Sequence, residues 1–114
     1  MRRLVLAALA VLPLTFAATA QAADPAALQL TLRNNRFEPT ELKAPAGVPI
    51  EITLKNEDRT AEEFESKELK VEKVVAGGKS IVIKLRALTP GRYKFYGEFH
   101  EATAQGVLVV EAAR

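Results

Sequence analysis

The chain has 114 residues, with 16 Lys and Arg, 14 Asp and Glu, one His and no Cys. This length leaves room for one small domain, and the nearly balanced charge, without basic runs or an RNA-binding motif, argues against a nucleic-acid partner. The lack of cysteine excludes disulfides, thiolate metal sites and cysteine nucleophiles, so an apolar core must hold the domain together.

The first 22 residues have the three parts of a secretory signal peptide. Two arginines follow the first residue, residues 4–16 are mostly apolar, and residues 20–22 (AQA) supply the small side chains of a cleavage site. A membrane anchor would need an apolar span of about 20 residues, which is longer than this one. We therefore expect cleavage after Ala22, export to the periplasm, no membrane span after cleavage, and a single mature domain over residues 23–114.

Most of the mature chain alternates apolar with polar residues, which is the period of a half-buried β-strand. The clearest alternation covers residues 28–33, 48–55 and 80–85, and an apolar run occupies residues 107–110. Strands at this spacing, without a convincing long helix, predict an all-β fold, an antiparallel β-sandwich. The turn signals between the strands are Asn34-Asn35, Pro45-Ala46-Gly47, Gly77-Gly78 and Pro90-Gly91.

Residues 61–75 have the least regular pattern. If residues 61–66 are extended, Phe64 lies on one face while Glu63 and Glu65 lie on the other. Residues 68–75 fit either a strand or a single helical turn, and the sequence does not decide between them.

Residues 90–106 (PGRYKFYGEFHEATAQG) contain the candidate site. The aromatic-rich segment predicts a strand, and the only histidine, His100, follows where that strand should end, between Glu98 and Glu101. A strand, a loop with ligands and another strand is a common way to hold a metal at a sheet edge, although a lone loop histidine is more often simply solvated. Tyr93, just after the Pro-Gly turn, is interpreted as a tyrosine-corner residue whose hydroxyl fixes that turn.

The sequence contains no enzyme motif of the common classes. There is no Gly-rich phosphate loop, no G-x-S-x-G elbow and no H-E-x-x-H pair, and one histidine leaves little material for a Ser-His-Asp triad. The sequence therefore gives little support to a hydrolase function.

Residues 90–100 followed by residues 106–110 resemble the carboxy-terminal signature of cupredoxins, in which P-G-x-Y-x-F-x-C leads to a His and a Met before the last strand. Residues 35–39 and 45–47 look like the matching amino-terminal signature. The match is most specific to EfeO-type cupredoxin-like proteins, which include small FtrB-like periplasmic proteins of ferrous-iron uptake systems, and it rests there on residues 62–66 and 95–100. The resemblance implies a cupredoxin-like Greek-key β-sandwich, with a high-affinity iron permease and a periplasmic iron-binding protein as partners.

The resemblance also shows where this sequence departs from a blue-copper site. Glu63 stands at the position of the first His ligand, Gly97 at that of the Cys, and Ala104 or Gln105 at that of the Met, so only His100 is retained. A type 1 copper centre needs a thiolate with two imidazoles, and this chain cannot build one.

The remaining carboxylates and one imidazole suit iron, manganese, zinc or Cu(II) better than Cu(I), and one bound ion, iron or copper, is expected. The predicted ligands are Glu63, Glu98 and His100. Weaker candidates are Glu65, Glu101 and Glu38, and the last of these fits a structural hydrogen bond in its turn equally well. Relatives of this type often have His where Asn35 and Lys67 stand, which would weaken binding here.

Three functional interpretations stay open. The first and favoured one is a periplasmic metal-binding accessory of iron uptake with a permease. The second is a ferroxidase-like enzyme that oxidises Fe(II) with bound copper or iron. The third is a cupredoxin fold without metal that acts as a protein-binding module.

Overall fold

The computed structural model describes residues 2–17 and 24–112. Residues 2–17 are exposed and form no helix or strand, and the expected cleavage site after Ala22 lies outside the described residues. No helix in residues 2–17 or 24–112 combines the length and the apolar character needed to cross a membrane.

Nine strands and one short 3-10 turn follow one another in the described part of the chain. The turn, Glu98–His100, connects the last two strands. The strands are β1 (Ala26–Arg33), β2 (Arg36–Glu38), β3 (Glu41–Pro45), β4 (Ile50–Asn56), β5 (Glu62–Ser66), β6 (Val71–Val75), β7 (Ser80–Leu85), β8 (Gly91–Gly97) and β9 (Gln105–Glu111).

The strands form two sheets that confirm the predicted all-β sandwich. The smaller sheet has the order β2-β1-β4-β7, and the larger sheet has the order β3-β9-β8-β5-β6. Both sheets are mixed, because β1 runs parallel to β4 and β3 runs parallel to β9, while the other pairs are antiparallel. Parallel partners are not joined by a hairpin, so the pattern within each strand does not reveal them.

The core lies between the sheets and is centred on three aromatic rings. Phe64 on β5 and Phe95 on β8 stack at 5.0 Å between ring centroids, and Phe37 on β2 meets Phe95 edge-on at 5.2 Å. All three side chains are buried, and such pairs add about 0.5–1.5 kcal/mol beyond their buried area. Because successive side chains of a strand alternate between faces, inward Phe64 places Glu63 and Glu65 on the outer face of the larger sheet, as predicted.

Hydrogen bonds and strand pairing settle the predicted role of Tyr93 and the structure of a segment that the sequence left undecided. The Tyr93 hydroxyl donates to the carbonyl oxygen of Thr89 at 2.7 Å, which confirms that this side chain fixes the turn before β8. The undecided residues 68–75 divide into a turn and the edge strand β6, which pairs antiparallel with β5.

Candidate metal site on the outer face of the larger sheet

Four glutamates converge on the outer face of the larger sheet, and we call them the four-glutamate cluster. Glu63 and Glu65 come from β5, Glu72 from β6 and Glu98 from the 3-10 turn, and each offers a carboxylate oxygen within 4.8 Å of the others. Strand geometry accounts for the first three, because Glu63 and Glu65 are two residues apart on one strand and Glu65 is the Cα partner of Glu72.

The carboxylates of this cluster are short of hydrogen-bond donors. Glu63 Oε1 and Glu65 Oε2 are buried and have no hydrogen-bond partner among the described residues. When Glu63 is protonated, its carboxyl group can donate to those of Glu72 and Glu98, and these hydrogen bonds raise its pKa from the ordinary 4.5 to about 8, with burial and charge repulsion acting in the same direction. Buried carboxylate oxygens that have no donor and lie next to other negative charges are stabilised by a proton or a cation bound between them.

The surroundings of the cluster also shift the pKa values of its member Glu65 and of the adjacent Tyr96. The pKa of Glu65 is raised, first by burial and then by hydrogen bonding to and repulsion from Glu98. Tyr96 on β8 is the Cα partner of Glu65, and burial followed by the nearby Glu65 charge raises the pKa of its phenol. Carboxylate oxygens of this kind are the ligands preferred by hard cations.

His100 lies on the other side of β5 and pairs with Glu62. Its Nδ1 is 2.5 Å from Glu62 Oε2, while Glu62 Oε1 accepts the backbone N–H groups of Glu63 at 3.0 Å and Phe99 at 2.8 Å. The roles in this contact depend on which ring nitrogen carries the proton, and we assign Nδ1–H as the donor to the carboxylate oxygen. The Glu62 side chain is fully buried, and the His100 side chain is 28% exposed.

Glu62 also lies next to the residues that stand at the ligand positions of a type 1 copper site in the sequence resemblance. A Cβ atom placed on Gly97 would lie 2.6 Å from Glu62 Cδ and 2.8 Å from Ala104 Cβ. Together with His100, these contacts put Glu62, rather than Glu63, beside Gly97 and Ala104, which the sequence resemblance places at the Cys position and at one of the two candidate Met positions. The Glu62 carboxylate fills the space next to Gly97, and the chain has no cysteine, so these residues do not fit a type 1 copper centre.

The predicted ligands thus fall into two groups. Glu63, Glu98 and the weaker candidate Glu65 share the cluster, whereas the described contact of His100 is with Glu62. The complete ligand set proposed from the sequence stays a prediction.

The other weaker candidates lie outside the cluster. Glu38 pairs with Arg33 Nη2 at 3.1 Å, which is the structural role considered for it, and Glu101 is exposed after the 3-10 turn. Sequence reasoning missed Glu62 and Glu72. Glu72 would have been found if residues 71–75 had been interpreted as a strand paired with β5, since pairing then places it opposite Glu65.

The sequence matches a model of cupredoxin-like domains and one curated protein. A family model described as "Cupredoxin-like domain" matches residues 5–110. The uncharacterized protein RP394 of Rickettsia prowazekii is 40% identical over 83 residues, which cover 73% of this chain and 66% of that protein. The chain therefore spans slightly less than two thirds of the length of this curated relative.

Solved structures agree on the fold. Auracyanin A, a blue copper protein of Chloroflexus aurantiacus, has a TM-score of 0.66 and 17% identity, covering 77% of this chain and 100% of its own. The metal-binding domain of CopA, the Cu(I)-exporting P-type ATPase of Streptococcus pneumoniae, has a TM-score of 0.63 and 17% identity, covering 75% and 84%. At such low identity these similarities show the fold alone, while the family match covers most of the sequence. The chain belongs to the cupredoxin-like domain family.

Proposed function

We propose that this chain is a periplasmic metal-binding accessory of iron uptake that takes an iron ion, as cargo, at the four-glutamate cluster. One observation carries this proposal: four carboxylates from three elements meet within 4.8 Å, and two of their buried oxygens have no hydrogen-bond partner in the described part of the chain. A cation bound there would accept those lone pairs and cancel the repulsion between the carboxylates.

The donor set favours iron over Cu(I). The cluster offers only carboxylate oxygens, and the single methionine of the chain is residue 1, so the mature domain has neither thiolate nor thioether ligands. Hard oxygen ligands suit Fe(II), Fe(III) or Mn(II), whereas Cu(I) prefers sulfur. Copper binding by auracyanin A and CopA supports a metal role for the fold, but the ligands here differ in kind.

Two sequence features support a role of this protein in iron uptake. The signal-peptide pattern of the first 22 residues supports a periplasmic location. The resemblance to EfeO-type proteins supports partnership with a high-affinity iron permease and a periplasmic iron-binding protein. The protein would then hold iron for transfer, and a ferroxidase-like reaction would need an electron acceptor in addition.

A protein-binding module without metal is the second candidate function. It is favoured by the residues at the type 1 positions, because Glu62, Gly97 and Ala104 leave His100 as the only retained ligand type. A titration that separates the four-glutamate cluster from His100 decides between the two functions.

The test is calorimetric titration of the metal-free mature protein with Fe(II) under anaerobic conditions, and with Mn(II), Zn(II) and Cu(II). We expect saturable Fe(II) binding that Glu65→Gln weakens by more than about tenfold, equivalent to about 1.4 kcal/mol. His100→Ala should retain most of the affinity, because the described contact of His100 is with Glu62 and not with the cluster.

Glu51→Gln is the matched control, since it removes the same charge from β4 in the smaller sheet. Loss of binding in His100→Ala but not in Glu65→Gln would place the metal at the other side of β5 and contradict the proposed site. A wild-type protein that binds none of the four cations would leave the protein-binding module as the function.

A further inference from the structure

A second feature of the outer face is a groove next to the four-glutamate cluster. It is an open depression of about 400 Å³ bordered by β3, β8 and β9. We call it the cationic groove, and its lining includes Thr40, Glu41, Arg92, Lys94, Gln105 and Val107.

The groove and the cluster lie on the same face of the same sheet. Arg92, Lys94 and Tyr96 alternate along β8 with inward residues, and Tyr96 is the Cα partner of Glu65. Side chains on one face of a strand recur about every 6.6–6.8 Å, so Lys94 is one such step from Tyr96 and Arg92 is two. A molecule lying in the groove would therefore reach toward a cation held by the cluster.

The charge of the groove is opposite to that of the cluster. Arg92 and Lys94 are exposed, and neither forms an ion pair with an acidic residue in the described part of the chain. Glu41 is the one acidic residue lining the groove, so the lining carries a net positive charge. A guanidinium beside an ammonium suits a carboxylate-bearing anion, because the guanidinium binds a carboxylate in two-point fashion. Val107 contributes an apolar surface for a carbon skeleton.

We propose that the cationic groove binds a small polycarboxylate anion that accompanies the iron ion as a chelate. This inference rests on the proposed function and names its cargo: an iron carboxylate complex rather than the hydrated ion. Hard cations in oxygen sites take about six ligands, so four glutamates offering one oxygen each leave positions for oxygens of the anion. Arg92 and Lys94 offset the repulsion that such an anion would meet beside the cluster.

Three titrations of the metal-free mature protein test this inference: anaerobic Fe(II) without chelator, citrate alone, and ferric citrate. The variant is Arg92→Gln/Lys94→Gln, and the matched control is Lys84→Gln/Arg86→Gln, which removes the same charge at and just after β7. We expect the groove variant to bind ferric citrate at least about tenfold more weakly than the control does. Its affinity for Fe(II) should be unchanged or slightly higher, because two positive charges near the cluster are gone.

The outcomes separate this inference from the proposed function. Equal ferric citrate binding by the two double variants, with Fe(II) binding by the wild type intact, would overturn the inference and leave the proposed function standing. Absence of Fe(II) binding by the wild type would count against the proposed function itself. Citrate binding without metal that is lost only in the groove variant would support the groove as a polycarboxylate site, independently of iron.

Discussion

Glu62 is a fully buried carboxylate that ties β5 to the segment after β8. Its oxygens accept hydrogen bonds from the Phe99 N–H and from His100, both in the 3-10 turn, as well as from Glu63. The same turn carries Glu98 into the four-glutamate cluster. Glu62 thus acts as a positioning residue for one of the proposed ligands while lying outside the cluster itself.

Removing His100 should therefore cost stability. His100→Ala deprives the buried Glu62 carboxylate of one of its three donors, and we expect the free energy of unfolding to fall by about 1–3 kcal/mol. Urea unfolding of the metal-free protein measures this change, with Glu101→Ala as the control at an exposed position where a change within about 0.5 kcal/mol is expected. Equal loss in the two variants would show that the Glu62–His100 contact does not stabilise the fold.

The site could be predicted from the sequence only in part, and the pair Glu62-Glu63 shows why. The two residues are adjacent, so they lie on opposite faces of β5, and inward Phe64 makes Glu62 the inward one. A buried glutamate is rare without a partner, which favours the outward-facing Glu63 as a ligand when the partner is unknown. The partner, His100, is 38 residues away along the chain, and only the fold brings it to Glu62.

At the scale of elements, the connection from β8 to the 3-10 turn depends on the absence of a side chain at Gly97. The backbone there is ordinary extended chain, with φ −93° and ψ 111°, so the requirement is for space. Glu62 and Ala104 occupy the volume that a Cβ atom would enter.

Gly97→Ala should destabilise the protein by about 1–3 kcal/mol, because both neighbouring groups are buried and overpacking forces them to shift. The matched control is Gly91→Ala at the start of the same strand, where a Cβ atom would make only an ordinary 3.6 Å contact with the Tyr93 ring. Thermal and urea unfolding of both variants provide the measurement. A Gly97→Ala protein as stable as Gly91→Ala would contradict tight packing of Glu62 and Ala104 around Gly97.

The strands themselves were more predictable than their pairing. Alternation of apolar residues identifies strands such as β4, whose Ile50, Ile52 and Leu54 are all buried. It fails for β6, an edge strand in which only Val75 is buried while Val74 is 56% exposed. Because partners of β6 could not be assigned, the cross-strand position of Glu72 opposite Glu65 could not be predicted either.

For the whole molecule, the apolar core and the four-glutamate cluster are separate. The core lies between the sheets, whereas the cluster lies on the outer face of one of them. The fold should therefore persist without metal. The free energy of unfolding of the metal-free protein should then depend on whether the cluster is protonated. The pKa of Glu63 is raised from 4.5 to about 8 in the folded protein, and the pKa of Glu65 is raised as well.

The sign of the resulting pH dependence follows from proton linkage. Between about pH 4.5 and 8 the folded protein retains the Glu63 proton while the unfolded chain has lost it, so stability falls as pH rises through this range. We expect the urea midpoint of the metal-free protein to be lower at pH 8 than at pH 5.5. Glu63→Gln should flatten this dependence, whereas Glu51→Gln on β4 should preserve it. A pH dependence of the urea midpoint that is unchanged in Glu63→Gln would show that Glu63 does not hold the proton and would contradict its raised pKa.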